Sequence, residues 1–91
     1  MKEIRFSVYT TKGNAYIVAL NKTVNPNVLF VDALEGLEYK QLFWCYVRKI
    51  DLRRFRSEDS KIVLAESLLN TALVRLDMPS ESIINCEFFT E

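Results

Sequence analysis

The sequence predicts an α+β domain: a mainly antiparallel sheet, in the element order ββββαβ, with one long amphipathic helix packed on one face. Three observations predict this class. Four strand-like segments separated by turn residues occupy the first half of the chain. A segment with helix start and stop signals follows, and a fifth strand-like segment comes last. Because 91 residues leave room for one core, we expect a single domain over residues 1–91.

The first two strands are predicted to form a hairpin. Residues 3–10, EIRFSVYT, alternate with the period of two of a half-buried strand. Gly13 and Asn14 tolerate the positive φ of a tight turn, and the apolar run AYIVAL, residues 15–20, follows at once. Because AYIVAL is apolar at both parities, we expect this strand to be covered on both faces or to lie centrally in the sheet.

The third and fourth strands are predicted to form a second hairpin. VLFVDAL, residues 28–34, has the length and β-branched content of a strand, and Glu35 with Gly36 can turn the chain back into LEYKQLFWCYVRKI, residues 37–50. The competing interpretation is a helix over 32–49. Gly36 lies inside that helix and its apolar residues form a poor stripe, so we favour two strands.

The clearest helical signal runs from Ser57 to Asp77. Ser57 can cap the helix, Glu58 and Asp59 are acidic residues in its first turn, and Pro79 follows its end. We therefore expect a helix of roughly 20 residues. At 100° per residue, one face carries the expected core contacts, which are Ile62, Ala65, Leu69, Ala72, Leu73 and Leu76.

A fifth strand is predicted after the helix, because SIINCEFF, residues 82–89, alternates again. This segment contains Cys86, and the fourth strand contains Cys45. Both cysteines lie in apolar runs, where a reduced cysteine behaves as a small hydrophobic residue. We expect them to be core thiols.

What the sequence lacks argues against several function classes. Histidine is absent, which removes the usual general base and the commonest metal ligand. Gly13 and Gly36 are the only glycines, so no glycine-rich phosphate loop can form. We expect a protein that is not an enzyme and needs no cofactor or metal. No signal-peptide pattern occurs over residues 1–9, and no apolar run approaches the roughly 20 residues that span a bilayer, so we expect a cytoplasmic protein without membrane contact.

The segment 39–56 is the most distinctive part of this chain, whose net charge is zero. It holds six of the twelve basic residues, five aromatic residues and one acid, so it carries +5 and the rest of the chain carries −5. Trp, Tyr and Arg are enriched in binding hot spots. We predict a small non-enzymatic interaction module, a regulator or inhibitor that binds another protein. An acidic protein is one candidate partner. The predicted contact residues are Trp44, Tyr46, Arg48, Arg53, Arg54 and Arg56.

The alternation of the fourth strand allows two packings. If the side that carries Cys45 packs on the helix, Trp44 and Tyr46 form an exposed row. If the other side is the core, both are buried. A shift of one residue exchanges the two, and both stay open at this point. One side carries Phe43, Cys45 and Val47, and the other carries Leu42, Trp44, Tyr46 and Arg48.

Nucleic-acid binding is the alternative function. An exposed row of Trp44, Tyr46 and Arg48 has the chemistry on which RNA or single-stranded DNA bases stack. The glycines and repeated phenylalanines of the common RNA-recognition sheet are missing. Phosphate contacts weaken steeply with salt, whereas a largely apolar protein interface is less sensitive, so salt distinguishes the two functions.

A third function class comes from Asp32 and the run Glu38, Tyr39, Lys40. These residues resemble the D…ExK signature of the restriction-endonuclease-like superfamily, over nine residues. In that family the two acids hold a divalent cation and the lysine assists attack of water on phosphate. The resemblance implies a metal-dependent nuclease that uses Asp32, Glu38 and Lys40.

Self-association is predicted from apolar residues that the helix face leaves over. Val63, Leu64 and Val74 fall outside the predicted core stripe. Exposed apolar patches larger than a few hundred Å² generally mark interfaces. We therefore expect a homo-oligomer, a dimer in its simplest form, with these three residues as oligomer contacts.

Overall fold

The computed structural model describes residues 3–22, 27–48 and 54–90. Five antiparallel strands form one sheet in the order β4-β3-β2-β1-β5, and a single long helix packs against one of its faces. The predicted α+β class and the element order ββββαβ are confirmed. The elements are β1 (Ile4–Thr10), β2 (Ala15–Leu20), β3 (Val28–Glu35), β4 (Glu38–Tyr46), α1 (Glu58–Arg75) and β5 (Ile83–Thr90).

The β1-β2 hairpin closes through the turn that the sequence predicts. Gly13 has a φ of +80°, its amide donates to the Thr10 carbonyl, and the Thr10 amide donates to the Asn14 carbonyl. A side chain at this φ is strained, which explains the glycine. β2 is the middle strand of the sheet, so its two-sided apolar pattern has the predicted cause.

The β3-β4 hairpin turns at Gly36, whose φ is +63°. Its register changes once: Val31 pairs with Phe43, but Asp32 pairs with Gln41. The extra residue in β4 is Leu42, and a bulge of this kind turns a side chain away from strict alternation. Leu42 therefore packs against the core together with Phe43. The prediction that Leu42 shares a side with Trp44 is wrong for this reason.

Helix α1 has 18 residues and begins after Ser57, whose side chain accepts a hydrogen bond from the Ser60 amide at 3.2 Å. Its buried face is wider than predicted, about 180° at 100° per residue. Leu64, 6% exposed, and Leu68 belong to it. Leu64 is therefore a core residue and not an oligomer contact. Leu64 is buried because the sheet beneath α1 is wide enough to cover half of the circumference of the helix. The buried residues are Leu64, Ala65, Leu68, Leu69, Ala72 and Leu73.

The core lies between α1 and the helix-facing side of the sheet. Ala65 and Ala72 are completely buried, and their small side chains let the helix approach the strands closely. Phe6 and Phe88, on neighbouring strands, pack with ring centroids 5.1 Å apart. No helix from residues 3–22, 27–48 or 54–90 packs on the other face of the sheet. That face, called the open face below, is where the molecule presents its exposed aromatic residues.

Candidate protein-binding surface

The packing of β4 decides which of its sides is exposed. Cys45 is 8% exposed and belongs to the core, whereas Trp44 and Tyr46 are 50% and 63% exposed. The side with Cys45 therefore packs against the helix, as in the first of the two predicted packings. Trp44 and Tyr46 contact each other edge to face, with ring centroids 5.8 Å apart. Both rings lie on the open face.

The strand register arranges the open face in rows that cross all five strands. The first row runs, from β4 to β5, through Trp44, Phe30, Ala19, Arg5 and Phe89. The second row runs through Gln41, Asp32, Ile17, Ser7 and Glu87. The middle strand contributes Ala19 to the first row and Ile17 to the second.

A shallow hollow lies beside these rows, near the hairpin turns. Tyr9 and Tyr39 stand on its margins, and Ser7 and Ala15 lie in it. Asn85 and Glu87 of β5 complete one side. Ser7 and Ala15 have short side chains, and the two tyrosines beside them are long.

The open face exposes much apolar surface for so small a protein. Five of its aromatic side chains, and Leu34 beside them, are between two-fifths and two-thirds exposed. An aromatic side chain offers about 150 to 250 Å², so five half-exposed rings present roughly 500 Å². The sum of these areas equals the largest patch on a typical monomer, and here it is distributed over β1, β4 and β5. The five rings are Tyr9, Tyr39, Trp44, Tyr46 and Phe89.

The charges of the open face are largely matched within it. Arg5 pairs with Glu3 at 2.8 Å. The Lys22 ammonium lies 3.9 Å from the Asp32 carboxylate and 5.3 Å from the centroid of the Phe30 ring. The second Asp32 oxygen, Oδ1, is buried and has no hydrogen-bond partner within the described parts of the chain. The surface is aromatic and close to neutral.

The structure does not bring all the predicted partner-binding residues together. Trp44 and Tyr46 lie side by side, and Arg48 is exposed just beyond the end of β4. Arg54 instead lines a separate hollow at the start of α1, together with Phe55, Asp59, Ser60 and Val63. Arg56 is exposed in the same approach to the helix. Arg53 lies outside the described residues. Of the predicted oligomer contacts, Val63 and Val74 are exposed on the helix.

The three residues of the nuclease hypothesis point to different sides of the sheet. Asp32 lies on the open face, where Lys22 is its ionic partner. Glu38 and Lys40 occupy positions of the opposite parity in β4, and Lys40 pairs with Glu35 at 3.4 Å. Within 3–22, 27–48 and 54–90, no cluster of three or more acidic or cysteine side chains could hold a metal ion. The geometry therefore lends that hypothesis no support.

The sequence analysis missed a buried polar cluster around Glu81. This residue is 6% exposed, and its carboxylate accepts hydrogen bonds from Thr10 Oγ1 at 2.7 Å, Asn14 Nδ2 at 2.9 Å and the Tyr16 hydroxyl at 2.5 Å. The Asn70 side chain of α1 bonds both backbone groups of Glu81, each at 2.9 Å. Glu81 lies in the loop between α1 and β5, so no periodic sequence pattern marks it. The cluster joins the β1-β2 hairpin to α1 and to the start of β5.

Burial and hydrogen bonding act in opposite directions on the Glu81 carboxyl. Burial raises the pKa of Glu81, but the bonds from Tyr16, Thr10 and Asn14, with the nearby Lys12 charge, outweigh it and hold the pKa below its ordinary value. Burial, and then the Glu81 carboxylate, raise the pKa of Tyr16 well above its ordinary value. Glu81 is therefore ionised and Tyr16 neutral at pH 7. A buried carboxylate that three donors satisfy is a structural group.

Comparison with known proteins gives no guide to function. No protein-family model, curated protein or solved structure matches this chain. Within the described residues, no helix has the length and apolar character needed to cross a membrane.

Proposed function

We propose that this protein is a small non-enzymatic interaction module that binds another protein through its open face and acts as a regulator or inhibitor by covering the surface it binds. The observation that carries the proposal is the set of five half-exposed aromatic rings on the sheet face opposite α1. Half-exposed Trp and Tyr side chains supply large contact areas at low conformational cost, which is why they dominate interface hot spots.

The charges of the open face favour protein over nucleic acid as the partner. A phosphate backbone needs cations that are free to neutralise it. Arg5 and Lys22 face acidic partners instead, and Glu87 adds a negative charge. Nucleic-acid binding remains the second candidate because Trp44 and Tyr46 form an aromatic pair on a sheet with Arg48 beyond it, the chemistry of base stacking.

Affinity capture from cells that produce a tagged copy together with an untagged copy tests the proposal. The open-face variant combines Trp44→Ser with Phe89→Ser. The matched control combines Val63→Ser with Val74→Ser, which removes exposed apolar side chains from the helix. We expect a bound protein that survives nuclease treatment and high salt and that only the open-face variant loses.

Two outcomes contradict the proposal. If the same proteins are bound by the wild type and by both variants, the open face is not the binding surface. If the bound material is nucleic acid that is released as salt is raised, the second candidate function replaces the first. Circular dichroism of each variant shows that a loss of binding is not a loss of folding.

A further inference from the structure

The rows of the open face are complementary to themselves when the order of the strands is reversed. A two-fold axis can be placed above β2, the middle strand, and parallel to the strands. Rotation about this axis places a second copy on the open face. β4 of one copy then lies over β5 of the other, β3 lies over β1, and β2 lies over itself. Such an interface is isologous, because each copy contributes the same surface.

In the first row, the pairs on either side of the axis then make favourable contacts. Trp44 faces Phe89 of the second copy, and Phe30 faces Arg5, which are an aromatic pair and a cation over a ring. Ala19 lies at the axis but is 2% exposed, so its own neighbours already cover it within one copy.

The second row pairs polar groups with suitable partners. Gln41 faces Glu87 of the second copy, so that the amide can donate to the carboxylate. Asp32 faces the Ser7 hydroxyl, a hydrogen-bond donor, and Ile17 faces its counterpart across the axis. No position of the row sets two like charges against each other.

The other simple two-fold arrangement is unfavourable. An axis perpendicular to the strands along the second row would set Glu87 against Glu87 and Asp32 against Asp32. Like charges directly opposed in an interface cost several kcal/mol. The charge pattern of this row therefore disfavours a perpendicular axis along it, whereas the axis parallel to the strands opposes no like charges in either row.

We propose that the partner of the open face is a second copy of this chain, in a face-to-face dimer whose two-fold axis runs parallel to β2. This inference rests on the proposed function and makes the second copy the protein that the open face binds, so any target of a regulator or inhibitor competes with that copy for the face. A standard stable interface buries about 800 Å² per partner. The exposed rings supply roughly 500 Å² of this, and the side chains between them add to it.

The ordinary geometry of packed sheets is compatible with this pairing. Two aligned sheets cross at about 30° and lie about 10 Å apart. At the outer strands, two positions from the axis, that angle displaces the pairs by roughly 5 Å, which is less than the spacing of about 7 Å between successive rows. On the axis the register is unchanged, and at the outer strands the displacement stays smaller than one row.

Cross-linking of single-cysteine variants tests the arrangement. Gln41→Cys and Glu87→Cys are made in a Cys86→Ala background, because Cys86 is the more accessible of the two native thiols. Both new sites are exposed, so neither substitution enters the core. The proteins are treated with a short bismaleimide, singly and as a mixture, and light scattering gives the mass of the untreated wild type.

We expect a dimer by light scattering, and a cross-link in the mixture of Gln41→Cys with Glu87→Cys at least ten times as abundant as in either variant alone. The cysteine background protein and a Leu37→Cys variant, at the fully exposed hairpin tip, are the controls and should stay monomeric on denaturing gels. The single tryptophan, Trp44, should shift its fluorescence to shorter wavelength as the protein is concentrated, since the second copy covers it.

Other results overturn the inference. Self-cross-linking of Glu87→Cys would show the perpendicular axis, and cross-linking through Leu37→Cys would show random collision. A monomer at all concentrations, with no cross-link in the mixture, would exclude the second copy as partner. The capture experiment would then decide the proposed function on its own. A different protein that the wild type binds and only the open-face variant fails to bind would still support that function.

Discussion

Among single residues, Glu81 organises more of the buried polar structure than any other described side chain. Its carboxylate bonds Thr10, Asn14 and Tyr16, and its backbone bonds Asn70. A buried carboxylate is costly unless several donors satisfy it, and here three do. The stability of the junction between hairpin, helix and β5 therefore depends on a few hydrogen bonds that can be removed one at a time.

Removing the Tyr16 hydroxyl should destabilise the protein measurably. Tyr16→Phe leaves Glu81 with one donor fewer in a buried place, and a loss of this kind costs about 1 to 3 kcal/mol. Urea unfolding gives the difference. The matched control is Tyr39→Phe, which removes a hydroxyl on the open face and should change stability by less than about 0.5 kcal/mol. Equal stability of Tyr16→Phe and wild type would show that the hydrogen bond contributes nothing.

The pKa of Glu81 makes a prediction about acid. Because hydrogen bonds hold this pKa below its ordinary value in the folded state, the folded protein favours the ionised form more than the unfolded chain does. The stabilisation is complete above the unfolded pKa and is lost as the pH falls through the folded one. Between about pH 7 and pH 3, the wild type should therefore lose more unfolding free energy than Glu81→Gln. Parallel pH curves for the two proteins would contradict this.

Among the elements, α1 carries an unusual residue at its end. The Met78 amide donates to the Leu73 carbonyl and the Asp77 amide to the Val74 carbonyl, the two bonds of a Schellman motif. This motif needs a left-handed residue, and Asp77, with a φ of +58°, occupies the place that glycine usually takes. An acid at this end also opposes the helix dipole.

Replacing that residue should stabilise the helix. Asp77→Gly removes both the left-handed penalty and the unfavourable charge, and the expected gain is up to about 1 kcal/mol. The control is Asp59→Asn in the first turn, where the same loss of charge should destabilise by about 0.3 to 1 kcal/mol. Thermal unfolding compares the two variants. A loss of stability in Asp77→Gly would mean that the Asp77 side chain makes a favourable contact.

The two sides of α1 should respond differently to shortening. Leu64→Ala opens a cavity in the core and should cost about 2 to 5 kcal/mol. Val63→Ala, one position earlier and 65% exposed, should change stability by less than about 0.5 kcal/mol. Chemical unfolding of both variants decides whether the buried face is as wide as the fold indicates. Similar costs at both positions would place Val63 in an interface or Leu64 outside the core.

For the whole molecule, the proposed dimer should depend little on salt. The open face holds most of its charges in pairs, so association buries mainly apolar surface, and apolar contacts are not screened by ions. The dissociation constant is measured from the Trp44 fluorescence as the protein is diluted. It should change less than tenfold between about 0.05 and 0.5 M salt. A nucleic-acid complex would weaken by several orders of magnitude over that range. Steep salt dependence of the protein dimer itself would show that ion pairs hold it.

Much of the fold could be predicted because its signals are local. Alternation over EIRFSVYT, the glycine turn at Gly13 and the Ser57 cap each depend on a few neighbouring residues. The bulge at Leu42 could not be predicted in this way, since it is a relation between two strands. The burial of Leu64 could not either, because it depends on the width of the sheet beneath the helix.

The sequence predicted only part of the candidate surface. The sequence singled out Trp44 and Tyr46 as residue types that bind, but it left both sides of β4 open. It did not associate them with Tyr9, Tyr39 and Phe89, which come from three strands and meet only through the register. Arg54 was grouped with them by its place in the chain, and the fold puts it beside the start of α1.

By itself, the sequence determined the α+β class, the order of the elements and the turns, because periodicity, caps and positive-φ residues act over a few positions. Only the tertiary structure decided which face of the sheet is covered, which aromatic rings share the open face, and that Glu81 is buried among three donors. These properties depend on contacts between residues far apart in the chain. A shift of one residue in a strand, which leaves every local signal unchanged, would reverse them.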